Sequence, residues 1–231
     1  PLIEPRKRVN GSYVNLEGEK FYSIQNYDAM DPFFMTIISA DDHWLFISSN
    51  GGLTAGRGNP DNAIFPYYTD DKIVSDAKNT GSKTILKIDQ KEKVLLWEPF
   101  NEELDGIYTI ERTLYKNVIG NRLIFKETNH DLNLSFSYEW SSSKSYGFVR
   151  TCALKNLAEE EVDVEILDGV QNVLPFGVDR GLQDVRSTLV DAYKKNELIE
   201  DVGLGLFTLS SMIVDKAEPS EALKASVVWS C

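Results

Sequence analysis

The chain has 231 residues, 42% of them hydrophobic and 26% charged, which is enough to build a folded domain around a sizeable core without disulfides or metals. Its 24 Lys and Arg residues against 36 Asp and Glu residues give a formal net charge of −12. That field repels phosphate backbones and anionic lipid headgroups, so neither nucleic acid nor a membrane surface is expected as a partner.

None of the apolar runs in the sequence approaches the ~18–20 residues that a membrane-spanning helix requires. The basic N-terminal stretch is followed by no apolar segment of the kind that a signal peptide contains. We therefore expect a cytoplasmic protein. Because the chain begins with Pro1 rather than Met, a secretion signal removed from a longer precursor stays an open alternative.

The first strong strand signals are two apolar runs, residues 33–38 and 44–47. They flank the polar residues 39–43, an arrangement typical of two antiparallel strands joined by a short turn. Because both runs are almost continuously apolar, we predict a hairpin that is buried on both faces.

Residues 48–62 follow this hairpin, and their four glycines, three asparagines and one proline predict a long ordered loop. The glycine spacing over 51–56 matches a phosphate-binding loop, but Arg57-Gly58 stands where that motif needs Lys-Ser/Thr. Pro60 also blocks the helix that would bind the phosphate. The third glycine of a dinucleotide-binding motif is missing as well. The sequence therefore argues against nucleotide binding.

Aromatic and polar residues are interspersed from Asn50 to Lys72 in a pattern typical of sugar-binding surfaces. A flat ring packs on the C–H face of a pyranose, and planar polar groups pair with its hydroxyls. We predict that this segment is the functional face, directed at a sugar or a partner domain; the alternatives are an ordered loop covering a sheet edge, solvated acids and core aromatics. The candidate residues are Asn50, Arg57, Asp61, Tyr67, Tyr68, Asp70, Asp71, Trp44 and Trp97.

The middle of the chain is dominated by alternating apolar and polar residues. In 132–140, Leu132, Leu134, Phe136, Tyr138 and Trp140 share one face, which predicts a strand with one buried side. Residues 162–166 repeat this pattern, and short polar links join the runs. These features predict a meander in a large antiparallel sheet.

One substantial helix is predicted at 181–199, where Leu182, Val185 and Leu189 recur at helical spacing and form a stripe that can lie on the sheet. Residues 205–209 and 225–229 then return to strand patterns. The predicted fold is therefore mainly β: a large antiparallel sandwich with one substantial helix.

Catalytic and metal-binding motifs are not evident in the sequence. His43 and His130 lack the spacing of a metal site, and there is no Gly-x-Ser-x-Gly elbow for a nucleophilic serine. The two cysteines, Cys152 and Cys231, are expected to be unpaired. We therefore assign no catalytic residue, no metal site and no cofactor.

Several segments, in this order along the chain, resemble the opening of large bacterial proteins similar to cellobiose phosphorylases. They are YSIQNYD at 22–28, PFFMT at 32–36, WLFISSNGGLTAGR at 44–57, NPDNAIFPYYTDDKI at 59–73, LDGVQNVLP at 167–175 and NELI at 196–199. In that family the N-terminal part is a super-sandwich of two large antiparallel sheets, related to galactose mutarotase. Helical linkers and an α/α barrel follow it, and the barrel carries the catalytic acid and the phosphate site.

The resemblance implies that residues 1–231 are a single sandwich domain and a fragment of a longer multidomain protein. It implies three partners: carbohydrate, the C-terminal helical barrel of the parent protein and, as a possibility, a second copy in a homodimer. The family's catalytic residues have no counterpart in this chain, because the matching region is absent.

Three functional hypotheses follow. The first is a non-catalytic sandwich module that binds carbohydrate or shapes the active site or oligomer interface of a glycoside phosphorylase or hydrolase. The second is a self-sufficient glycosidase or sugar epimerase that uses loop carboxylates such as Asp70 and Asp71. The third is a free-standing carbohydrate-binding lectin.

Overall fold

The computed structural model describes residues 7–90, 93–213 and 224–231. The chain is mainly β, with 52% strand and 14% helix. Its strands are β1 Asn10–Leu16, β2 Glu19–Gln25, β3 Phe34–Ile37, β4 His43–Ser48, β5 Leu53–Arg57, β6 Ala63–Phe65, β7 Gly81–Gln90, β8 Lys93–Trp97, β9 Ile110–Asn117, β10 Arg122–Asn129, β11 Leu134–Ser143, β12 Gly147–Asn156, β13 Asp163–Gln171, β14 Lys194–Ile199, β15 Leu204–Leu209 and β16 Ser226–Trp229.

The helices are short. They are α1 Asp70–Ser75, α2 Arg180–Val185 and α3 Ser187–Tyr193, with single 3-10 turns at Tyr27–Ala29, Pro60–Asn62, Glu102–Leu104 and Glu200–Val202.

In the described ranges, the strands pair antiparallel and form four sheets. The largest has the order β1-β2-β9-β10-β11-β12, and the others are β3-β4-β5-β6, β13-β7-β8 and β14-β15-β16. The prediction of a mainly β, antiparallel sandwich is confirmed. The second layer is divided among three smaller sheets rather than formed by one large sheet.

The inner face of the six-stranded sheet forms the floor of the core. Along β11 the predicted alternation is confirmed, since Leu134, Phe136, Tyr138 and Trp140 are buried. The same core includes Ile47 and Leu53 from the four-stranded sheet, and Leu86 and Trp97 from the sheet of β7 and β8. One continuous core therefore joins both layers. At ~25 cal/mol per Å² of buried apolar surface, this core is the main source of stability.

The predicted helix at 181–199 is wrong in its extent. Asp179 caps α2 by accepting a hydrogen bond from the Leu182 amide, but Arg186 leaves helical geometry between α2 and α3. The last six residues of the prediction form β14, an edge strand paired with β15. Pairing with β15 overrides a helical pattern that lacks a continuous buried stripe, because Val185 is 80% exposed.

The predicted hairpin of the two early apolar runs is present as β3 and β4, but only part of its outer face is buried. Met35 and Ile37 point into the core, whereas Phe34 is 41% exposed and stacks on Phe46. The outer face is covered further along the sheet by a second cluster that includes Val178, Leu182 and Val190. An apolar run thus marks the strand correctly but overstates its burial.

An ion pair joins the edges of the two layers. Arg150 on β12 makes two hydrogen bonds to Asp168 on β13, at 2.7 and 2.8 Å, and its Nε donates to Ser82 Oγ. The Arg150 side chain is 9% exposed. Cys152 lies beside this pair, and burial, more than any other factor, raises the pKa of its thiol to about 12.

This environment makes the two free cysteines chemically different, and we predict that only Cys231 reacts with a thiol reagent in the native protein. At pH 8 a thiol of pKa about 12 is ionised in about one molecule in ten thousand, and the thiolate is the reactive form. A Cys231→Ser variant should therefore stay almost unreactive with DTNB until it is denatured, and should then release one equivalent. Rapid reaction of the native variant would contradict this environment for Cys152.

No helix in the described part of the chain has the length and apolar character needed to cross a membrane.

Candidate functional site

The candidate residues from the sequence lie in three places. The first group lies on or near the 3-10 turn Pro60–Asn62 and helix α2, and consists of Trp44, Arg57, Asp61 and Tyr67. Asn50 lies at a cleft. The remaining candidates lie in or beside helix α1 (Tyr68, Asp70 and Asp71) or in the core (Trp97).

Residues of the first group hold the segment between β5 and α1 against helix α2. The Tyr67 amide donates to Gln183 Oε1 at 2.8 Å, and the Arg180 guanidinium lies 5.4 Å from the centre of the Tyr67 ring. Asp61 Oδ1 accepts from the Arg180 amide at 3.1 Å. Tyr67 in turn packs edge-on against Trp44, with ring centres 5.9 Å apart. These contacts give Tyr67 and Asp61 a role in ordering the loop.

Arg57 is exposed at the end of β5, opposite His43. Asp61 is exposed as well, whereas Trp44 and Tyr67 are partly buried. Arg57 and Asp61 are therefore the residues of the first group that a partner can reach.

Two of the aromatic candidates are largely enclosed. Trp97 is buried, and its Nε1 donates to Glu127 Oε1 at 2.8 Å. Tyr68 is half-buried, and burial, followed by a hydrogen bond with Asp76, raises its pKa to about 12. Neither side chain offers the exposed flat ring that stacks on a sugar.

The two aspartates begin helix α1. Asp71 accepts a hydrogen bond from Thr69 Oγ1 at 2.6 Å, which is the main reason that its pKa is lowered. The side chain of Asp70 lies outside what the structure describes. Asp71 is thus held ionised, as a helix-start carboxylate usually is.

A surface cleft of about 270 Å³ lies where the turn between β4 and β5 meets helix α1 and the start of β7. Asn50 forms one wall; its Nδ2 donates to the Val74 carbonyl at 2.9 Å, and its Oδ1 accepts from Ser48. Asn50 therefore positions the turn against α1. The opposite wall is the segment 98–103 that follows β8.

Aromatic rings form the floor of the cleft. Tyr138 from β11 lies below it, and the ring of Phe100 packs edge-on against Tyr138 with centres 5.1 Å apart. Burial raises the pKa of Tyr138 well above its ordinary value, so its hydroxyl stays protonated and can donate at the base of the cleft. Gly51 has a φ of 92°, which side-chain-bearing residues rarely adopt, and a Cβ atom there would also lie 3.2 Å from this hydroxyl.

Charged residues of both signs line the rim and are paired with each other. Lys83 pairs with Glu98, and Lys78 pairs with Glu103. The hydrogen bond from Lys78 is the main reason that the pKa of Glu103 is lowered. Glu102 is the third glutamate among the lining residues, so two lysines face three glutamates and the lining carries a net charge of −1.

The cleft is bordered by strained backbone. Phe100 has a φ of 65°, a left-handed conformation that a bulky residue adopts at a cost of about 1–3 kcal/mol. Its amide donates to Glu127 Oε2 at 2.7 Å, so the buried Glu127 carboxylate holds the strained residue in place. Strain of this kind clusters at functional sites, and here it fixes the wall of a cavity.

Most of the cleft was not predicted from the sequence. Asn50 is the only earlier candidate among its lining residues; Lys78, Lys83, Glu98, Glu103 and Tyr138 were not singled out. Their one sequence signal is the short charged segment 98–105, which breaks the strand pattern after Trp97. That signal does not reveal which distant residues it faces.

Fold and cleft together define a mainly antiparallel β-sandwich protein with a surface cleft whose two lysines are each paired with a glutamate. Among the residues that the structure describes, no group of three or more His, Cys, Asp or Glu side chains is arranged to hold a metal ion. Comparison with models of known protein families gave no match. No curated protein showed significant similarity to the chain. The likeness to cellobiose phosphorylases therefore rests on the sequence segments alone.

Proposed function

We propose that this chain is a non-catalytic, carbohydrate-binding sandwich module of a cellobiose phosphorylase-like protein, and that the cleft between Asn50 and the 98–103 segment receives the sugar. The observation that carries the proposal is the composition of the cleft. It combines an aromatic floor with a rim of hydrogen-bonding groups in which each lysine is already paired with a glutamate.

A neutral ligand suits this arrangement better than an ion. An anion has to compete with Glu98 or Glu103 for a lysine, and a cation has to compete with Lys83 or Lys78. The hydroxyls of a sugar can instead add hydrogen bonds to both members of each pair. The volume of about 270 Å³ lies just below the ~300–1,000 Å³ of typical ligand pockets, so one sugar ring is favoured over a long chain.

The carboxyl groups support binding without catalysis. Glycoside hydrolysis and phosphorolysis need a carboxylic acid that stays protonated near neutral pH, which requires a raised pKa. In the described residues, the carboxyl groups with a shifted pKa are Glu19, Asp71, Glu103 and Asp168, and in each of them the pKa is lowered.

In this proposal the catalytic chemistry belongs to a barrel domain of the parent protein. The exposed Arg57, at the end of β5, marks the surface that contacts that domain or a second copy of the chain.

Calorimetric titration of the chain with glucose and cellobiose tests the proposal. We expect Glu98→Gln to weaken binding of the better ligand about tenfold, because the loss of a charged acceptor costs about 1.5 kcal/mol or more. Glu165→Gln is the matched control: its carboxylate pairs with Lys87 at 2.8 Å on the same sheet, outside the cleft. Equal affinities for both variants, or no binding by the wild type, would refute a sugar site in the cleft.

The same samples test the absence of catalysis. Cellobiose incubated with the chain, with and without phosphate, should remain intact. Turnover that disappears in Asp70→Asn or Asp71→Asn would instead favour the glycosidase hypothesis.

A further inference from the structure

A second cavity, of about 360 Å³, opens on the other side of the sandwich. The inner face of the six-stranded sheet continues past the last strand of the four-stranded sheet, β3, onto β9, β2 and β1. Residues that pair directly across neighbouring strands lie on the same face of a sheet. Lys116 pairs with the buried Leu123, Tyr22 pairs with Lys116, and Tyr13 pairs with Tyr22, so all four lie on the core-facing side. This part of the core-facing surface is thus left open as a groove.

The groove has an apolar floor. Ile24, Met35 and Leu114 line it, and Leu114 and Met35 also belong to the central core. Tyr13 and Tyr22 form one wall as an edge-on pair, with ring centres 5.2 Å apart. The Tyr22 ring reaches across Gly11, where a Cβ atom would lie 2.3 Å from the Tyr22 hydroxyl. Glycine at position 11 therefore permits this wall.

Lys116 lies in this groove without a compensating charge. Among the described residues no carboxylate forms an ion pair with its ammonium group. Burial alone lowers the pKa of Lys116, whereas Lys87, which is paired with Glu165 and Asp89, has a raised pKa. A half-buried ammonium ion without a partner is unfavourable, and an anionic group placed beside it would relieve that cost.

We propose that the groove binds a small amphipathic carboxylate, with its apolar part against Ile24, Met35 and Leu114 and its carboxylate at the Lys116 ammonium. Charge complementarity selects this ligand: the apolar floor accepts a hydrocarbon segment, and the unpaired cation accepts one anionic head. Lys20, whose Nζ lies 4.4 Å from the centre of the Tyr13 ring, adds a second positive charge near the mouth. A sugar would leave the Lys116 charge uncompensated.

The test is calorimetric titration with sodium octanoate, with 1-octanol and acetate as probes for the chain and the head alone. We expect octanoate to bind at least about tenfold more tightly than octanol, and acetate to bind weakest. Lys116→Gln should weaken octanoate binding about tenfold or more, whereas Lys116→Arg should stay within a few-fold of the wild type. Lys155→Gln, at an exposed site on β12, removes the same charge and should change nothing.

Thermal unfolding separates a binding role from a structural one. Because Lys116 carries a half-buried charge without a partner, Lys116→Gln should unfold at the wild-type temperature or above it. Octanoate that binds no better than octanol, or that binds Lys116→Gln as well as it binds the wild type, would overturn the proposal.

Discussion

Replacement of Glu127 by glutamine is expected to lower the free energy of unfolding by about 3–5 kcal/mol, the cost of breaking a buried ion pair from one side. The Glu127 side chain is 1% exposed and accepts hydrogen bonds from Arg112 Nε at 2.7 Å, Trp97 Nε1 at 2.8 Å and the Phe100 amide at 2.7 Å. A neutral amide leaves the buried Arg112 paired only with Asp105 and presents an NH₂ group where acceptors are needed. Urea unfolding monitored by tryptophan fluorescence measures the change.

Glu165→Gln is the control for this variant too. Its carboxylate is 73% exposed, and exposed ion pairs contribute about 0–1 kcal/mol. A stability loss of similar size in both variants would show that Glu127 does not organise the buried network. Because Glu127 also holds the strained Phe100, the Glu127 variant should in addition bind sugar more weakly.

Replacement of Gly52 by alanine is expected to destabilise the protein by about 3 kcal/mol, at the upper end of the range for overpacked interiors. A Cβ atom at this position would lie 2.0 Å from the Ile73 carbonyl oxygen and 3.1 Å from Ala77 Cα. Both obstacles are backbone, so α1 and the turn after it must move away from the turn between β4 and β5. That movement displaces Val74 and Lys78 from the rim of the cleft.

Gly169→Ala is the matched control, because nothing lies within 4 Å of the added atom and the residue has no positive φ. We expect its stability to stay within about 0.5 kcal/mol of the wild type. The two variants are compared by thermal unfolding and by sugar titration. If Gly52→Ala retained both full stability and full affinity, the close packing of the β4–β5 turn against α1 would not be what shapes the cleft.

The sequence predicted the strands well where one face is buried. The alternation from Leu132 to Trp140 reports a local periodicity, and the side chains of β11 follow it in the structure. The helix predicted at 181–199 was too long: residues 187–193 are helical, but periodicity does not reveal a partner strand, and β14 forms through its hydrogen bonds to β15. Long-range pairing of this kind is invisible to a local pattern.

The cleft could not be predicted for a related reason. Its walls come from five separate segments, near residues 50, 75, 83, 100 and 171, which the strand topology brings together. An aromatic residue in a polar stretch of sequence can belong either to a sugar-binding surface or to the core. Trp97 is the type of residue that contacts sugars, but it lies in the core. Asn50, a candidate from the sequence, lines the cleft, but its polar atoms fasten the turn to α1.

The most direct test of the central claim is a ¹⁵N–¹H NMR titration of the chain with cellobiose. A sugar in the cleft should shift the amide signals of Gly51, Ser82 and Asn101, which line it, and should leave those of Arg57 and Tyr67 unchanged. The cellobiose signals should persist without the appearance of free glucose. Shifts confined to the Tyr67 and Arg57 surface, or the release of glucose, would contradict a non-catalytic sandwich module that binds sugar in this cleft.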